Sequence, residues 1–204
     1  MILLGGGGHA KVLMDMIMMS GEYTIAGILD ARLEAGTFIN GIAVLGGDEL
    51  LPGLRADGIT NACIAVGSVK DNSGRKALYG LARKHGYYIP SIIHPRAVVS
   101  SADTALPDGV QVMAGAIIQA GSRIGGNTII NTGAIVEHDC VIGKNVHICP
   151  GAVICGGSII GDNAFVGAGA TVIQGIEIGR GTVVGAGAVV RRNLTDGMLI
   201  RGAV

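Results

Sequence analysis

From Leu106 onward an aliphatic residue returns at every sixth position: Val112, Ile118, Ile124, Ile130, Val136, Ile142, Ile148, Ile154, Ile160, Val166, Val172, Ile178, Val184 and Val190. Neither an α-helix nor a flat pair of strands sustains that period. It predicts a triangular coil with one hexad per side and the aliphatic side chain pointing inward. Three hexads then make one coil, and residues eighteen apart stack as parallel strands. The position four after each aliphatic is small or β-branched (Ala116, Ser122, Cys140, Ala152) and is expected to turn the corner. The position one after is often glycine, as at Gly125, Gly143 and Gly161, where the backbone is expected to be tightest. Residues 106–195 would form about five coils, with residues 95–105 adding a degenerate first turn.

Composition agrees with thin, tightly turned strands. The 204 residues include 36 Gly and no Trp, and only 3% are aromatic, too few for an ordinary α/β core. Net charge is zero and no long basic or acidic run occurs, so no nucleic acid and no anionic membrane is expected as a partner. The apolar stretch at 12–19 lacks a basic flank and a cleavage site and is interrupted by Asp15, so no signal peptide is expected. No segment is long enough for membrane insertion. The four cysteines form no C-x-x-C pair, which argues against a metal site and for reduced packing residues. The expected address is cytoplasmic. Phase leaves Ile135, Val153, Ile159 and Val189 facing outward, which predicts a prism face buried against copies of the chain.

The division expected is residues 1–90 as a small Rossmann-like α/β domain and 91–204 as the β-helix. Strands are expected at 2–4, 25–29 and 62–66, with helices from the glycine run to about residue 19 and over 72–85. Gly5-x-Gly7-x-x-Ala10 satisfies the dinucleotide fingerprint, and Asp30 lies where a ribose-binding acid belongs. Glycine there lets a phosphate reach backbone N–H groups at the positive end of a helix. A bland tight turn is the alternative. Roughly 90 residues hold half of a doubly wound sheet, enough for a nucleoside diphosphate but not for NAD.

A general base that works near neutral pH is most readily supplied by histidine. By phase His138 and His147 both point out of the prism. His138 stands between Glu137 and Asp139, which suits a base oriented by a carboxylate and equally suits a solvated surface ion pair. Adjacent strand residues face apart, so a His138–Asp139 pairing requires a corner between them. His94, before Pro95, is expected to be structural.

Gly5-Gly6-Gly7-Gly8-His9-Ala10-Lys11-Val12, Ala65-Val66-Gly67, Ile93-His94-Pro95 and Ile135-Val136-Glu137-His138-Asp139-Cys140-Val141-Ile142-Gly143 together resemble the NeuD/PglD-type sugar O/N-acetyltransferases, and His147-Ile148-Cys149-Pro150-Gly151-Ala152 follows the same pattern. That resemblance, over essentially the whole chain, implies a left-handed parallel β-helix of the hexapeptide-repeat acyltransferases, acetyl-CoA as co-substrate and a homotrimer with active sites between prisms. It implies His138 as general base with Asp139 as its acid partner, a position where relatives often carry Glu. His147 would contact the acyl-CoA, with the backbones of Ala168 and Ala186 lining its channel. Gly7, Gly8, His9, Asp30 and Gly67 would bind the nucleotide sugar. The expected reaction is N-acetylation of a nucleotide-activated, UDP-linked amino deoxysugar for surface glycan or glycoprotein biosynthesis. O-acetylation of sialic acid or a polysaccharide sugar, and a non-catalytic sugar-nucleotide sensor or scaffold, are the competing expectations. Relatives run a little beyond the equivalent of Arg201-Gly202-Ala203-Val204, so a C-terminal CoA contact is expected to be altered or missing.

Overall fold

The computed structural model describes residues 1–102 and 106–202; part of the expected degenerate first turn (103–105) and the terminal Ala203 and Val204 lie outside the described residues. The N-terminal unit is a five-stranded sheet in the order β3-β4-β2-β1-β5, built from β1 (Ile2–Leu4), β2 (Gly27–Leu29), β3 (Phe38–Ile39), β4 (Ile42–Gly46) and β5 (Ala62–Ile64). Only the β3–β4 hairpin is antiparallel. Helices α1 (Gly8–Ser20), α2 (Leu51–Ala56) and α3 (Ser73–Lys84) flank it. β1, β2 and β5 are fully buried, as strands of a sheet covered on both faces should be. The hairpin and α2 were not expected from sequence.

The second unit is a left-handed parallel β-helix with sheets of seven, six and four strands on its three sides. Pairing runs eighteen residues per coil through the middle, as at Ile129↔His147 and Ile135↔Val153. The first coil differs. Ile92–Ile93 pairs with Gln111–Val112 and Val98–Val99 with Ile117–Ile118, so the prism begins well before Leu106. At the far end the offset shortens, since Val183 pairs with Leu199.

The aliphatic phase is buried throughout, forming one continuous core from Val112 to Ile200. One expectation is corrected here. The small residues four positions on do not turn the corner: Ala116, Ser122, Ala134, Cys140 and Ala152 are also inside and wholly buried. Two inward residues per side in so narrow a prism require one to be small. Ser122 and Thr128 fit because each hydroxyl donates to a carbonyl and accepts from an N–H of the next coil (Ser122 Oγ to Glu137 O 2.6 Å, Cys140 N to Ser122 Oγ 3.0 Å). The corner lies between, at a residue with left-handed backbone such as Gly133 (φ 64°), Asp139 (φ 58°) or Gly157 (φ 67°). Glycines of the other class serve close approach. A Cβ on Gly125 would lie 2.4 Å from the Gly143 backbone of the neighbouring coil.

The outward residues differ by side. Ile135, Val153 and Val189 share the six-stranded side and are half-buried, whereas Ile159 lies on the four-stranded side and is exposed. On the seven-stranded side Ile92 and Ile129 are buried against α1 through Leu13, Met14 and Ile17. That contact seats the N-terminal unit on the prism.

Candidate active site

The glycine run forms the turn between β1 and α1. Gly5 has φ 110°, and a Cβ on it would meet Val66 at 2.5 Å. Gly7 caps α1 and Gly8 opens it; neither would meet anything within 4 Å if given a Cβ, so their backbone faces open space. The positive helix end is therefore accessible. Asp30 at the end of β2 is only 7% exposed, and its Oδ2 accepts the Gly6 N–H at 2.9 Å while Oδ1 accepts from Arg32 N at 3.0 Å. Burial pushes its carboxyl pKa up, but those N–H donors and the Arg32 charge outweigh it and hold the pKa below the usual value. Gly5, Asp30, Arg32, Asp48, Gly67 and Arg75 line a cavity of about 410 Å³.

A second cavity, about 500 Å³ and mostly apolar, runs along the seven-stranded side of the prism. His147, Phe165 and Val183 form its floor, Pro150, Ala168 and Ala186 one wall, and Ser68, Val69 and Lys70 the roof. Gly67 and Asp71 face the first cavity, so the 67–71 loop is a shared partition. An apolar groove edged by small residues, with Lys70 and Arg201 among its lining, suits the pantetheine arm and phosphates of coenzyme A. Among the described residues no group of three His, Cys, Asp or Glu is placed to hold a metal ion.

His147 points out of the prism as expected but is 5% exposed, because the partition loop covers it. Its ring packs edge-on against Phe165 at 5.4 Å. Thr132 N donates to Asn131 Oδ1 at 2.7 Å, which fixes that amide and leaves Asn131 Nδ2 to donate to His147 Nε2 at 3.0 Å. The proton then sits on Nδ1 and is donated to Ser68 Oγ at 2.8 Å. Burial, with the nearby His9 and Arg75, lowers the His147 pKa to about 3. Both ring nitrogens are used within the protein, and the Ser68 O–H is left to reach into the groove.

His138 lies elsewhere. It occupies the corner between the six- and four-stranded sides, opposite the side that carries His147, and lines neither cavity. The left-handed backbone of Asp139 swings its carboxylate round to His138, with Nδ1 to Oδ2 at 2.9 Å. A carboxylate only accepts, so Nδ1 carries hydrogen and Nε2 presents its lone pair. The Nε2 end lies over Gly156 of the next coil, where a Cβ would come within 2.6 Å. The Gly156 N–H has no acceptor among the described residues.

Residues 1–80 match the PglD N-terminal domain family, and residues 121–156 and 157–192 match the bacterial transferase hexapeptide (six repeats) family. No curated protein sequence matched the chain. Among solved structures, PerB from Caulobacter crescentus in complex with CoA and GDP-perosamine is 45% identical, with a TM-score of 0.90 over 97% of this chain and 91% of that one. The acetyltransferase domain of PglB from Neisseria gonorrhoeae FA1090, in complex with acetyl coenzyme A, is 36% identical with a TM-score of 0.90, covering 100% of this chain and 95% of that one. WeeI from Acinetobacter baumannii AYE is 26% identical with a TM-score of 0.83, over 98% and 95%.

The chain is a NeuD/PglD-type sugar acetyltransferase. It is therefore an acetyl-CoA-dependent acyltransferase. Within this sugar acetyltransferase, the residues singled out from sequence fall into three places. Gly7, Gly8, His9, Asp30 and Gly67 gather around the glycine loop; His147, Ala168 and Ala186 line the groove; His138 and Asp139 stand apart on their corner. His94 is buried and its Nδ1 accepts from Arg96 N at 2.9 Å, a structural role as expected. Ser68, Arg75, Gln111, Asn131 and Gly156 were not singled out. Only Gly156 left a signal, as a glycine eighteen residues beyond His138.

Proposed function

We propose that this enzyme transfers the acetyl group of acetyl-CoA to the amino group of a GDP-linked amino sugar of the perosamine type, in the cytoplasm and for surface glycan assembly. One observation carries the reading: two cavities of different chemistry meet at a single thin partition. The first, beside the glycine loop and lined by the charged Asp30, Arg32, Asp48 and Arg75, suits a nucleoside diphosphate, and the apolar one suits coenzyme A. A sugar attached to the diphosphate would project over the 67–71 loop toward the thioester. The expectation of uridine gives way to guanosine because the 45% identical relative holds GDP-perosamine.

Both cavities belong to one face of the chain, while His138 sits on the opposite corner. A second copy is needed to bring its His138 corner against the groove. Such a contact joins unlike surfaces, and on a triangular prism it closes as a trimer. The half-buried Ile135, Val153 and Val189 side between groove and corner would be covered by that contact.

In this arrangement His138 Nε2 accepts the proton from the attacking amine, and Asp139 stabilises the resulting imidazolium. The free N–H of Gly156 is placed beside Nε2 to donate to the thioester carbonyl oxygen as it gains charge. The protonated ring is then the nearest acid for the departing sulfur. The Gly7 and Gly8 backbone and the helix end bind the diphosphate, Asp30 holds the loop in shape beside the ribose, and Ala168 and Ala186 let the pantetheine lie close to the wall. General-base help is worth roughly 10²–10⁴ in rate, with positioning supplying much of the rest.

Thiol release from acetyl-CoA, followed with GDP- and UDP-linked amino sugars and with free sialic acid, tests the reading. Release with the GDP-linked amino sugar supports it. Release only with a hydroxyl acceptor would replace it by O-acetylation, and binding without any release by a sensor.

A further inference from the structure

The seam beneath the glycine loop contains a second polar relay, which ends on His9. Gln111 is an outward residue of the prism, in the ladder next to Ile129, and is 2% exposed because the N-terminal unit covers it. Its Nε2 donates to the Ile64 carbonyl at 2.8 Å. The reversed amide would set two acceptor oxygens against each other, so the orientation is fixed. Gln111 Oε1 therefore faces His9 Nε2, at 2.8 Å, and must be receiving a hydrogen from it.

Arg75 holds the relay still. Its Nη1 donates to the same Ile64 carbonyl at 2.7 Å and to Val66 O at 3.1 Å, while Nη2 and Nε reach Gly109 O and Asn127 O on the prism at 3.3 Å and 3.2 Å. The guanidinium so ties the two units together through carbonyls of both. Burial, opposed by the bond to Gln111 and helped by the Arg75 charge, drops the His9 pKa to about 4. The remaining nitrogen of His9, Nδ1, makes no hydrogen bond among the described residues. It lies 3.7 Å from where a Cβ on Gly67 would be, on the partition between the two cavities.

We propose that Gln111 is a positioning residue that holds His9 as a hydrogen-bond acceptor, so that the seam selects a sugar offering an N–H or O–H to His9 Nδ1. This assigns His9 to the sugar rather than to the diphosphate, because phosphate oxygens are acceptors and a lone pair aimed at them repels. It rests on the nucleotide-sugar reading above. It also means that a prism residue tunes specificity in the N-terminal unit.

Two measurements on the full chain test it. Nitrogen-15 NMR of the wild-type histidines should show His9 protonated at Nε2 and bare at Nδ1; the opposite tautomer overturns the proposal without recourse to any variant. Titration of GDP and of GDP-perosamine into wild type and Gln111→Leu should show the variant losing about tenfold on the sugar nucleotide and less than about twofold on GDP, the cost of one hydrogen bond confined to the sugar. Equal losses on both ligands would mean a purely structural role and overturn it, as would no loss on either. A folded wild type that binds no nucleotide sugar would instead defeat the nucleotide-sugar reading, while the tautomer still judges Gln111.

Discussion

His138 and Asp139 are neighbours in sequence, yet their side chains meet, with Nδ1 and Oδ2 2.9 Å apart. In an extended strand they would face opposite ways. The pair exists because Asp139 takes the left-handed conformation at a prism corner, φ 58°, a conformation Asp and Asn tolerate better than other side-chain-bearing residues. The corner that the hexad repeat requires at the end of every side thus doubles, here, as the device that orients the ring. Asp is long enough here to reach the ring.

Removing the ring should therefore separate chemistry from binding. His138→Ala is expected to lower kcat by about 10²–10⁴ while CoA and nucleotide-sugar affinities stay near wild type. Asp139→Asn keeps the corner conformation and should cost less, on the order of tenfold to a hundredfold in kcat, with little change in Tm. Steady-state kinetics with both substrates, alongside calorimetric CoA binding, checks both. A near-wild-type kcat in His138→Ala would remove the base assignment.

The glycines at 156 and 157 are adjacent but should fail in opposite ways. Gly156 has no positive φ, so alanine fits its backbone, but the new Cβ would fall 2.6 Å from His138 Nε2. Gly156→Ala should fold normally and lose most activity. Gly157 has φ 67° and open space around its would-be Cβ, so Gly157→Ala should lose about 1–2 kcal/mol of stability and keep its turnover. Melting curves set beside thiol-release rates decide the matter; equal effects of the two substitutions on both readouts would contradict the geometry.

What the sequence made legible follows from what repeats. The hexad phase located the prism interior at every step because each coil contributes the same few contacts, and the acid-flanked His138 stood out against that background. The corner was misplaced onto residues such as Ala116 and Ser122 because small size serves a crowded interior as well as a turn. The better signal was present three positions after each aliphatic, where Gly133, Asp139, Asn145 and Gly157 all take positive φ. His147 was placed outward correctly, yet its burial was invisible, because the loop that covers it is seventy-nine residues away in sequence. Gln111 and Arg75 gave no sign for the same reason. Their partners, Ile64 and Asn127, lie across the seam between units, and periodicity within one unit carries no information about that contact.

Acid should loosen the seam first. His9 and His147 are held at about 4 and about 3, below the unfolded value of 6.5, so between those limits the unfolded chain binds more protons. Stability then rises with pH across that window: it is complete above about 6.5 and is lost as pH falls toward 4 and then 3, by on the order of 3–5 kcal/mol per histidine at most. Asp30, whose pKa is held down, adds a loss of the same sign at still lower pH. Urea midpoints at pH 7, 5 and 4 should fall steadily, and His9→Gln, which can still donate to Gln111, should flatten the decline between pH 6 and 4. An identical decline in that variant would show that His9 does not titrate in this way.

The thiols give a prediction that also guards the activity assay. Burial pushes the Cys63 and Cys149 thiols up to about 12 and raises that of Cys140, and all three side chains are buried. Thiolate is the reacting species, so these three should be inert to a chromogenic disulfide in the native protein. Cys155 is the partly exposed one, beside Gly156 and the His138 ring. The native chain is expected to release at most one equivalent of colour per subunit, lost in Cys155→Ser, and four equivalents once unfolded. Two or more fast equivalents from folded protein would mean that at least one of Cys63, Cys140 and Cys149 loses its cover on the assay timescale, against the burial described here.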